Sequence, residues 1–418
     1  MHRRAGPVTG VHPAGPARDR PHLLLFGWYR PGTGFTRVLS AWLPWLSRRF
    51  RITWMGVGYQ GEPLLLADGV KLLPTNRDGG DMMGAYAARL AWGGLAPDLV
   101  LALNDPWYLE HYPRELLQVC GDVPLYGYMP LDGDIVEPST VAGLQGFRRL
   151  FTYTGHAAND LRRALSALDI DIDVSVAGHG VDNLAFAPLV ETRSLAGRMR
   201  LAQAVFDLPH PAWVVLNASR PDPRKRIDLT LQAFALAVRG LPDDVLLCLH
   251  QAWAYPQFVE PLREQARALG IEPRVLWWPP RPGPVCDAQL NRLYNACAVG
   301  LNTSMGEGFG LVSFEHAATG APQLLPAHPA LRELWGDSAW LLPVRPARSA
   351  YSPLQLGEVD IEATAAALRA LYQDTVKFQH LAGCGMSRCA ASDLRWETSA
   401  QGLLDGLCPR RGQLNTIS

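Results

Sequence analysis

Short apolar runs alternate with stretches of helix-like spacing along most of the chain. An unbroken apolar run is typical of a strand buried on both faces of a parallel sheet, whereas apolar residues that recur every three or four positions indicate a helix with one buried face. In the first half this pattern predicts strands at His22–Gly27, Arg51–Val57, Asp98–Leu103, Val123–Tyr128 and Leu150–Tyr153. It predicts helices at Phe35–Arg49, Asp81–Gly93, Pro106–Val119 and Gly155–Leu168.

The second half repeats this rhythm without repeating the sequence. Its predicted strands are Trp213–Ser219, Val245–His250, Arg274–Trp278 and Ala298–Asn302, and its predicted helices are Ile227–Arg239, Pro256–Leu269 and Asp287–Ala296. Strand–helix alternation with short connections predicts an α/β fold with two doubly wound, Rossmann-like domains that face each other across a cleft. Ligands of such sheets bind beyond the carboxyl ends of the strands, so we expect the site in that cleft.

The joint between the two domains is predicted at Phe186–Arg200, where Ala187-Pro188 interrupts the strand pattern and polar residues follow. Residues 1–20 contain arginines with no apolar stretch after them, which indicates a flexible leader and not a signal peptide. The sequence therefore predicts five parts: a flexible leader 1–20, a first domain 21–188, a second domain 189–390, a last helix 391–408 and a flexible tail 409–418.

The composition of the chain excludes several classes of protein. Hydrophobic residues make up 48% of the chain and charged residues 19%, which excludes long disorder for most of it. Lysine plus arginine and aspartate plus glutamate each total 39, so the basic excess typical of nucleic-acid binding is missing. No apolar run approaches the ~18–20 residues of a membrane span. The seven cysteines form no CxxC pair and no zinc-ligand spacing, so we expect a cytoplasmic protein with reduced thiols.

A cluster of basic residues, Ser219–Arg226, directly follows the first predicted strand of the second half. Arg220 and Lys225 within it suit a polyanion such as a diphosphate, because arginine offers a planar fork and lysine a compact charge. The chain has only three lysines, so the choice of lysine at position 225 hints at a specific geometric role. A solvated basic turn is an equally good interpretation of this cluster by itself.

A glycine-rich segment, Asn302–Glu315, follows the last predicted strand and opens a helix. Its three glycines would let the backbone approach a ligand, and free N–H groups at a helix start attract anions. Glu307 lies at the mouth of this segment and Glu315 two turns inside the helix, ~12 Å further along. The alternative is a helix-entry carboxylate and a surface residue, but a glutamate within the apolar run Leu311–Ala318 is expected to be buried.

A third segment, Gly27–Arg37, follows the first predicted strand. Gly32 and Gly34 form a loop that could close over phosphates from the opposite domain, although a plain tight turn remains an open alternative. The segment begins like a dinucleotide fingerprint, but Arg37 stands where the third glycine belongs and no acidic residue follows at the required distance, which disfavours NAD.

Several motifs follow one another between about Gly178 and Leu404. They are Gly178–Asp182 with Phe186 and Pro188, Arg220 with Lys225, Leu293–Ala296 leading to Asn302–Ser304, Glu307 to Glu315, Gly320–Pro322, Glu333-Leu334 and Trp396-Glu397. In these motifs and their order the chain resembles the retaining, nucleotide-sugar-dependent enzymes of glycosyltransferase family 4, which have the GT-B fold. Before Gly178 the resemblance is limited to the glycine loop and the strand–helix rhythm.

The resemblance implies a role for each matching residue. Glu307 would contact hydroxyls of the donor sugar and Glu315 the donor ribose, while Arg220 and Lys225 would neutralise the departing diphosphate. The remaining donor-binding positions that it implies are Gly32, Gly34, Gly308, Phe309, Gly310 and Leu311. It also implies that the first domain binds the acceptor, that the second binds the donor, and that the last helix crosses back onto the first domain.

One departure from the family concerns a first-domain histidine, which many members carry after the strand that reads Val123–Tyr128 here. This chain has Met129–Asp134 at that place, so Asp132 becomes a candidate for contact with the sugar or the acceptor. His156 is a second candidate, although a polar residue at a helix start is the favoured interpretation. Asp132–Asp134 and Asp171–Asp173 match the DxD pattern of metal-dependent glycosyltransferases, but we expect no metal because the surrounding architecture differs.

The sequence therefore predicts a retaining glycosyltransferase that moves a sugar from a nucleoside diphosphate, with UDP or GDP favoured, to a hydroxyl acceptor without a cofactor. The alternatives are a non-catalytic subunit that binds nucleotide sugar, or a phosphorylase or epimerase on the same architecture. A phosphorylase commonly needs a lysine-bound pyridoxal cofactor, and none of the three lysines has that context. Arg48, Arg49 and Arg51 with Trp42 and Trp45 leave peripheral membrane contact open, although a solvated helix end is the simpler interpretation. The oligomeric state is not determined.

Overall fold

The computed structural model describes residues 20–75, 80–250, 256–279, 283, 285–350 and 352–407. The first half forms one eight-stranded sheet in the order β3-β4-β2-β1-β5-β6-β7-β8, in which only the β3–β4 pair is antiparallel. Its strands are β1 (His22–Trp28), β2 (Arg51–Val57), β3 (Leu64–Leu65), β4 (Lys71–Pro74), β5 (Leu99–Leu103), β6 (Leu125–Tyr128), β7 (Arg149–Thr152) and β8 (Asp173–Val176). The helices of this half are α1 (Gly34–Leu46), α2 (Ala85–Leu90), α3 (Trp92–Leu95), α4 (Pro106–Leu109), α5 (His111–Leu116) and α6 (Gly155–Ser166).

The second half is built on a parallel six-stranded sheet in the order β11-β10-β9-β12-β13-β14, followed by the antiparallel hairpin β15–β16. The strands are β9 (Trp213–Asn217), β10 (Val245–His250), β11 (Val275–Trp278), β12 (Val299–Leu301), β13 (Gln323–Pro326), β14 (Trp340–Leu342), β15 (Val344–Ser349) and β16 (Ser352–Val359). The helices are α7 (Leu195–Phe206), α8 (Ile227–Ala237), α9 (Pro256–Ala268), α10 (Asp287–Ala296), α11 (Leu311–Ala318), α12 (Pro329–Trp335), α13 (Ile361–Gln373), α14 (Thr375–Cys389) and α15 (Trp396–Leu407).

The central strands are apolar and buried, as the sequence pattern requires. All five residues of β5 and all five of β9 are buried, because helices cover both faces of each sheet. The predicted α/β fold with two parallel sheets is therefore confirmed. Arg51–Val57, Val245–His250 and Asp287–Ala296 have the predicted bounds.

Two predicted helices are each interrupted. The stretch predicted at Pro106–Val119 divides at Glu110 into α4 and α5, because Pro113 has no N–H to donate to the carbonyl of Leu109. The stretch predicted at Asp81–Gly93 begins only at Ala85, after Gly84 in the left-handed region at φ 75°, and divides again at Ala91. Local backbone chemistry overrides the apolar spacing at both places.

The helix α7 begins inside the segment that was predicted to join the domains. Ser194 caps it by accepting a hydrogen bond from the N–H of Gly197 at 3.1 Å. The joint between the sheets is therefore shorter than Phe186–Arg200. The predicted leader, apart from Arg20, and the predicted tail 409–418 lie outside the described residues, as does Cys408 at the end of the predicted last helix.

The C-terminal helix α15 packs back onto the first sheet and its helix α1. The indole N–H of Trp42 in α1 donates to Oγ of Ser399 at 2.8 Å, and the hydroxyl of Tyr126 in β6 donates to the carbonyl of Leu407 at 3.2 Å. The predicted return of the last helix to the first domain is confirmed.

The hairpin β15–β16 also reaches the first domain. Leu354 and Leu356 on β16 join the apolar core beneath β6, and Asp134 and Gln355 exchange two backbone hydrogen bonds of 3.1 and 2.8 Å. The two halves are thus held together at the hairpin as well as at α15. In the part of the chain that the structure describes, none of the helices has the length and apolarity that crossing a bilayer requires.

Candidate active site

A cavity of about 460 Å³ lies between the two sheets, at the carboxyl ends of β1, β5, β9 and β12. Its first-domain wall consists of the lining residues from Gly32 to His179, and its second-domain wall of those from Leu216 to Leu354. Of the predicted site residues, the structure brings together at this cavity Gly32, Gly34, Asp132, Arg220, Lys225, Glu307, Phe309, Gly310 and Leu311. Gly308, Glu315 and His156 are close to it without lining it.

Lys225 and Glu307 form the central ion pair of the second-domain wall. The ammonium Nζ of Lys225 donates to Oε2 of Glu307 at 2.7 Å, and the two side chains are only 12% and 14% exposed. Asn302 and Ser304 donate to the same oxygen at 3.2 and 3.3 Å. Burial by itself would raise the pKa of Glu307, but the cations Lys225 and Arg224 outweigh it and lower that pKa to about 2. Glu307 is therefore a carboxylate at any physiological pH.

Arg224 is a cation of this wall that the sequence analysis did not select, although it lies within the basic cluster. It forms an ion pair with Asp132 at 3.0 Å and donates to the carbonyl of Gly306. Asp132 also accepts from the backbone N–H of Gly308 at 3.1 Å. Asp132 of the first domain thus accepts a hydrogen bond from one of the N–H groups that the sequence analysis assigned to donor binding.

Arg220 differs from its two neighbours in being exposed. Its guanidinium makes no hydrogen bond or ion pair with the described residues, and it lines the same cavity as Lys225. A planar, uncommitted guanidinium at the carboxyl end of β9 is suited to bidentate contact with phosphate oxygens.

The glycines of the motif serve the contact between the two domains. A Cβ atom on Gly306 would lie 2.2 Å from the carbonyl oxygen of Asp132, and one on Gly308 would lie 1.5 Å from the hydroxyl of Tyr153. Gly310 has φ 78° in the left-handed region and stands at the start of α11. The space that the sequence analysis attributed to ligand approach is filled at Gly306 and Gly308 by first-domain atoms.

Glu315 is buried, as expected, at 5% exposure, but it faces polypeptide partners. Its Oε1 pairs with Nε of Arg37 at 3.2 Å, and its Oε2 accepts from the hydroxyl of Tyr294 at 3.1 Å. Arg37 also pairs with Asp287 at 2.6 Å, so this one arginine of α1 bridges to α10 and α11. Burial raises the pKa of Glu315 to about 7, against the opposing effects of Arg37 and Tyr294.

The loop of Gly32 and Gly34 lies over the start of α11. Gly32 has φ 83°, which explains a glycine there, and a Cβ on Gly34 would lie 3.8 Å from Leu311. The loop is therefore within van der Waals distance of the second domain. Its placement fits the predicted approach from the first domain, while its contact with phosphate remains a prediction.

Three polar groups of the first-domain wall were not among the predicted site residues. Asp105 lies two residues after the end of β5 and, among the described residues, its carboxyl group has no ion pair or side-chain hydrogen bond. The hydroxyl of Tyr153 and both ring nitrogens of His179 are buried and have no hydrogen-bond partner in the described part of the chain. Burial lowers the pKa of His179 to about 3, so its ring is neutral. A carboxylate placed shortly after the carboxyl end of a parallel strand was the available signal for Asp105.

Asp105 makes the stability of the protein depend on pH. Burial and the neighbouring Asp132 raise its pKa from 3.8 to about 7, against Arg224 and Arg220. The folded state then holds this proton more tightly than the unfolded state, so the free energy of unfolding should fall as pH rises from about 4 to about 7.

The variant Asp105→Asn, which mimics the protonated carboxyl, should lack this part of the pH dependence. We expect the wild type to lose on the order of 1–3 kcal/mol relative to the variant between about pH 5 and pH 8. Urea unfolding at both pH values measures this difference, and Asp122→Asn on the exposed surface is the matched control. Parallel pH profiles of the wild type and Asp105→Asn would contradict the prediction.

His156 lies in a smaller neighbouring cavity of about 170 Å³ that Asp132, Glu307 and His328 also line. It is the second residue of α6, and its Nε2 lies 2.7 Å from Oδ1 of Asp134. Glu333 of the second domain accepts from the backbone N–H groups of Gly155 and His156, both at 2.7 Å. Within the described ranges no three histidine, cysteine or acidic side chains are grouped to hold a metal ion.

Comparison with known proteins gives the family of the second domain. Residues 212–374 match the family of glycosyl transferases group 1. The chain is 34% identical over 186 residues to the D-inositol 3-phosphate glycosyltransferase of Salinispora tropica, covering 43% of this chain and 36% of that protein. It is 31% identical over 287 residues to the enzyme of the same name from Xylanimonas cellulosilytica, covering 68% of this chain and 61% of that protein. The chain thus spans less than two thirds of either relative.

Solved structures match over a larger part of the chain. Sucrose-phosphate synthase from Thermosynechococcus elongatus superposes with a TM-score of 0.71 at 16% identity, covering 93% of this chain and 98% of that one. Anabaena HepE in complex with UDP-glucose superposes with a TM-score of 0.69 at 17% identity, covering 93% and 99%. At these identities the likeness establishes the fold.

The family and the fold agree with the resemblance drawn from the motifs between Gly178 and Leu404. The chain has two Rossmann-like sheets, a cavity at their facing edges and a C-terminal helix that returns to the first sheet. Residues 212–374 therefore belong to the family of glycosyl transferases group 1, within a chain that has the GT-B fold.

Proposed function

We propose that this protein transfers a glycosyl group from a nucleoside diphosphate sugar to a hydroxyl group of an acceptor, with retention of the anomeric configuration. The observation that carries this proposal is the largely buried Lys225–Glu307 pair beside Arg220, in a cavity that both domains line at the start of α11. In a sugar diphosphate, the cations suit the negatively charged diphosphate and the carboxylate suits the hydroxyl groups of the sugar.

The second-domain wall acts on the leaving group. Cleavage of the bond between the anomeric carbon and the phosphate oxygen leaves the electron pair on the diphosphate. Lys225 and Arg220, with N–H groups near Phe309 and Gly310, stabilise the negative charge that develops there, because they are fixed before the reaction. Gly32 and Gly34 approach the same phosphates from the first domain.

The sugar lies against Glu307, which accepts hydrogen bonds from its hydroxyl groups. Glu307 is engaged by Lys225, Asn302 and Ser304, so it orients the sugar and does not attack it. The acceptor oxygen attacks from the face that the diphosphate leaves, and its proton passes to a departing phosphate oxygen. Attack on that face retains the configuration without a covalent glycosyl-enzyme intermediate.

Relatives and structural neighbours suggest which donor to test first. HepE was crystallised with UDP-glucose, and a trehalose-phosphate synthase from Burkholderia xenovorans, which superposes with a TM-score of 0.69 at 14% identity, is named as UDP-forming. We propose UDP as the nucleotide, with GDP second, and a reaction in the cytoplasm that needs no metal and no cofactor. Asp132 and Asp134, which match the DxD pattern, are engaged by Arg224 and His156.

The test is a thermal-shift screen against UDP-, GDP- and ADP-sugars, followed by release of free nucleotide from the best donor without acceptor. We expect stabilisation by one donor class, none by NAD, and slow hydrolysis of the donor. A protein that binds the donor but releases neither sugar nor nucleotide would be a non-catalytic binding subunit. A protein that no nucleotide sugar stabilises would contradict the proposal.

Replacing Glu315 with alanine should weaken donor binding. Hydrogen bonds to charged groups contribute about 1.5–3 kcal/mol, so the dissociation constant should rise about 10- to 100-fold if Glu315 binds the ribose. Calorimetric titration with the nucleotide sugar measures it, and Glu264→Ala on the exposed side of α9 is the matched control. Equal affinity of Glu315→Ala and the wild type would remove Glu315 from the donor site and leave it as the partner of Arg37.

A further inference from the structure

The two walls of the cavity differ in charge. The second-domain wall has Arg220, Arg224 and Lys225, whereas among the described residues the first-domain wall has no lysine or arginine. The charged side chains of the first-domain wall are Asp105 and Asp132. Positive charge in the cavity is therefore confined to the side on which we place the donor diphosphate.

The two carboxyl groups of the first-domain wall are not equivalent. Asp132 is engaged by Arg224 at 3.0 Å and by the N–H of Gly308 at 3.1 Å. Asp105 has no such partner in the described part of the chain. Its carboxyl group is neutral when protonated and negative when ionised, so it offers no positive charge to an incoming molecule. One hydrogen-bonding group at the acceptor side is thus uncommitted.

Neutral polar groups and an aromatic ring complete this wall. The hydroxyl of Tyr153 is buried and has no hydrogen-bond partner among the described residues, and the residue is only 4% exposed. Trp107, two residues after Asp105, also lines the cavity. Unpartnered polar atoms in a cavity indicate a ligand that supplies the missing hydrogen bonds, and an indole beside them offers an apolar face for a sugar ring.

We infer that the acceptor is an uncharged polyhydroxyl compound, bound at the first-domain wall beside Asp105 and Tyr153, and not a phosphate monoester. This rests on the proposed glycosyl transfer. A phosphate group at the first-domain wall would meet the carboxyl groups of Asp105 and Asp132, and none of the described residues that line this wall is a lysine or an arginine. The three cations across the cavity are engaged by Glu307 or Asp132, or are assigned to the donor diphosphate.

The test uses the full chain saturated with UDP, so that the donor side of the cavity is occupied. Calorimetric titration then compares matched pairs: glucose with glucose 6-phosphate, myo-inositol with myo-inositol 3-phosphate, and glycerol with glycerol 3-phosphate. We expect the phosphorylated member of each pair to bind no more tightly than its neutral counterpart. Tighter binding of a phosphorylated member to the wild type would overturn the inference.

Substitution of Asp105 provides a second test of the acceptor class. In Asp105→Arg, glucose 6-phosphate should bind at least about tenfold more tightly than in the wild type, because a cation now faces its phosphate. Asp122→Arg on the exposed surface is the matched control and should leave this affinity unchanged. An affinity that does not rise in Asp105→Arg would place the acceptor away from this wall and overturn the inference.

If the proposed function itself is wrong, the same experiments give a different result. If neither UDP nor any nucleotide sugar binds the protein, glycosyl transfer itself is wrong, whatever the neutral and phosphorylated probes do. If the donor binds and is hydrolysed, but a phosphorylated probe binds more tightly than its neutral counterpart, only the acceptor class is wrong.

Discussion

Replacing Lys225 with alanine should lower turnover of the nucleotide sugar about 100- to 1000-fold, the typical cost of removing a fixed charge-stabilising contact from an active site. The ammonium group lies 2.7 Å from Glu307 within the basic cluster Ser219–Arg226, and Arg220 of this cluster is exposed and lines the same cavity. Because charge on the diphosphate grows only as the bond to the sugar breaks, kcat should fall more than donor affinity. Steady-state release of UDP, compared with calorimetric binding, separates the two quantities.

The same substitution also has a structural consequence that must be measured. Without Lys225, the carboxylate of Glu307 loses its closest cation, and breaking such a buried pair costs about 3–5 kcal/mol of stability. The double variant Lys225→Ala, Glu307→Gln should recover much of this stability and none of the turnover. Lys377→Ala, an exposed lysine beside Trp340, is the matched control. Turnover that recovers with stability in the double variant would show that Lys225 has only a structural role.

The second large effect is expected at Gly308. An alanine methyl group there would lie 1.5 Å from the hydroxyl oxygen and 2.2 Å from Cζ of Tyr153, so the two domains could not approach as they do. Tyr153 has little room to yield, because its ring packs against His179 and Phe309. Gly308→Ala should therefore cost about 2–3 kcal/mol of stability, together with most of the activity.

A paired substitution checks that the clash with Tyr153 is the cause. Adding Tyr153→Ala to Gly308→Ala removes the atoms in conflict and should restore the melting temperature toward that of Tyr153→Ala alone. Gly383→Ala in α14 is the matched control, since a methyl group there meets nothing within 4 Å. If Gly308→Ala melts at the wild-type temperature, the close approach of the domains at this point is wrong.

Much of the fold could be predicted from the sequence because hydrophobic periodicity is a local property. The runs at Arg51–Val57 and Val245–His250 have the predicted bounds, since strands buried on both faces leave an unbroken apolar signal. The hairpin β15–β16 was missed because its buried residues follow no regular period, and Leu354 and Leu356 pack on the other domain. Such a partner is not visible in local periodicity.

The candidate site could be predicted in part for the same reason. Lys225 and Glu307 lie in motifs whose composition is unusual over a few residues, and the structure brings them to one cavity. The sequence analysis noted Arg37 only because it replaces the third glycine of a dinucleotide-binding pattern. In the structure it forms ion pairs with Glu315 and Asp287. Asp105 was missed because a single aspartate after a strand has no distinctive neighbours.

The sequence by itself determined the two α/β halves, the basic cluster after β9 and the acidic, glycine-rich start of α11, because each depends on residues that are neighbours in the chain. Only the tertiary structure decided that Asp132 meets Arg224, that Tyr153 fills the space beside Gly308, and that Asp105 lines the cavity with no ion-pair partner among the described residues. Electrostatic and steric interactions depend on distances through space, and the packing of one sheet against the other sets these distances.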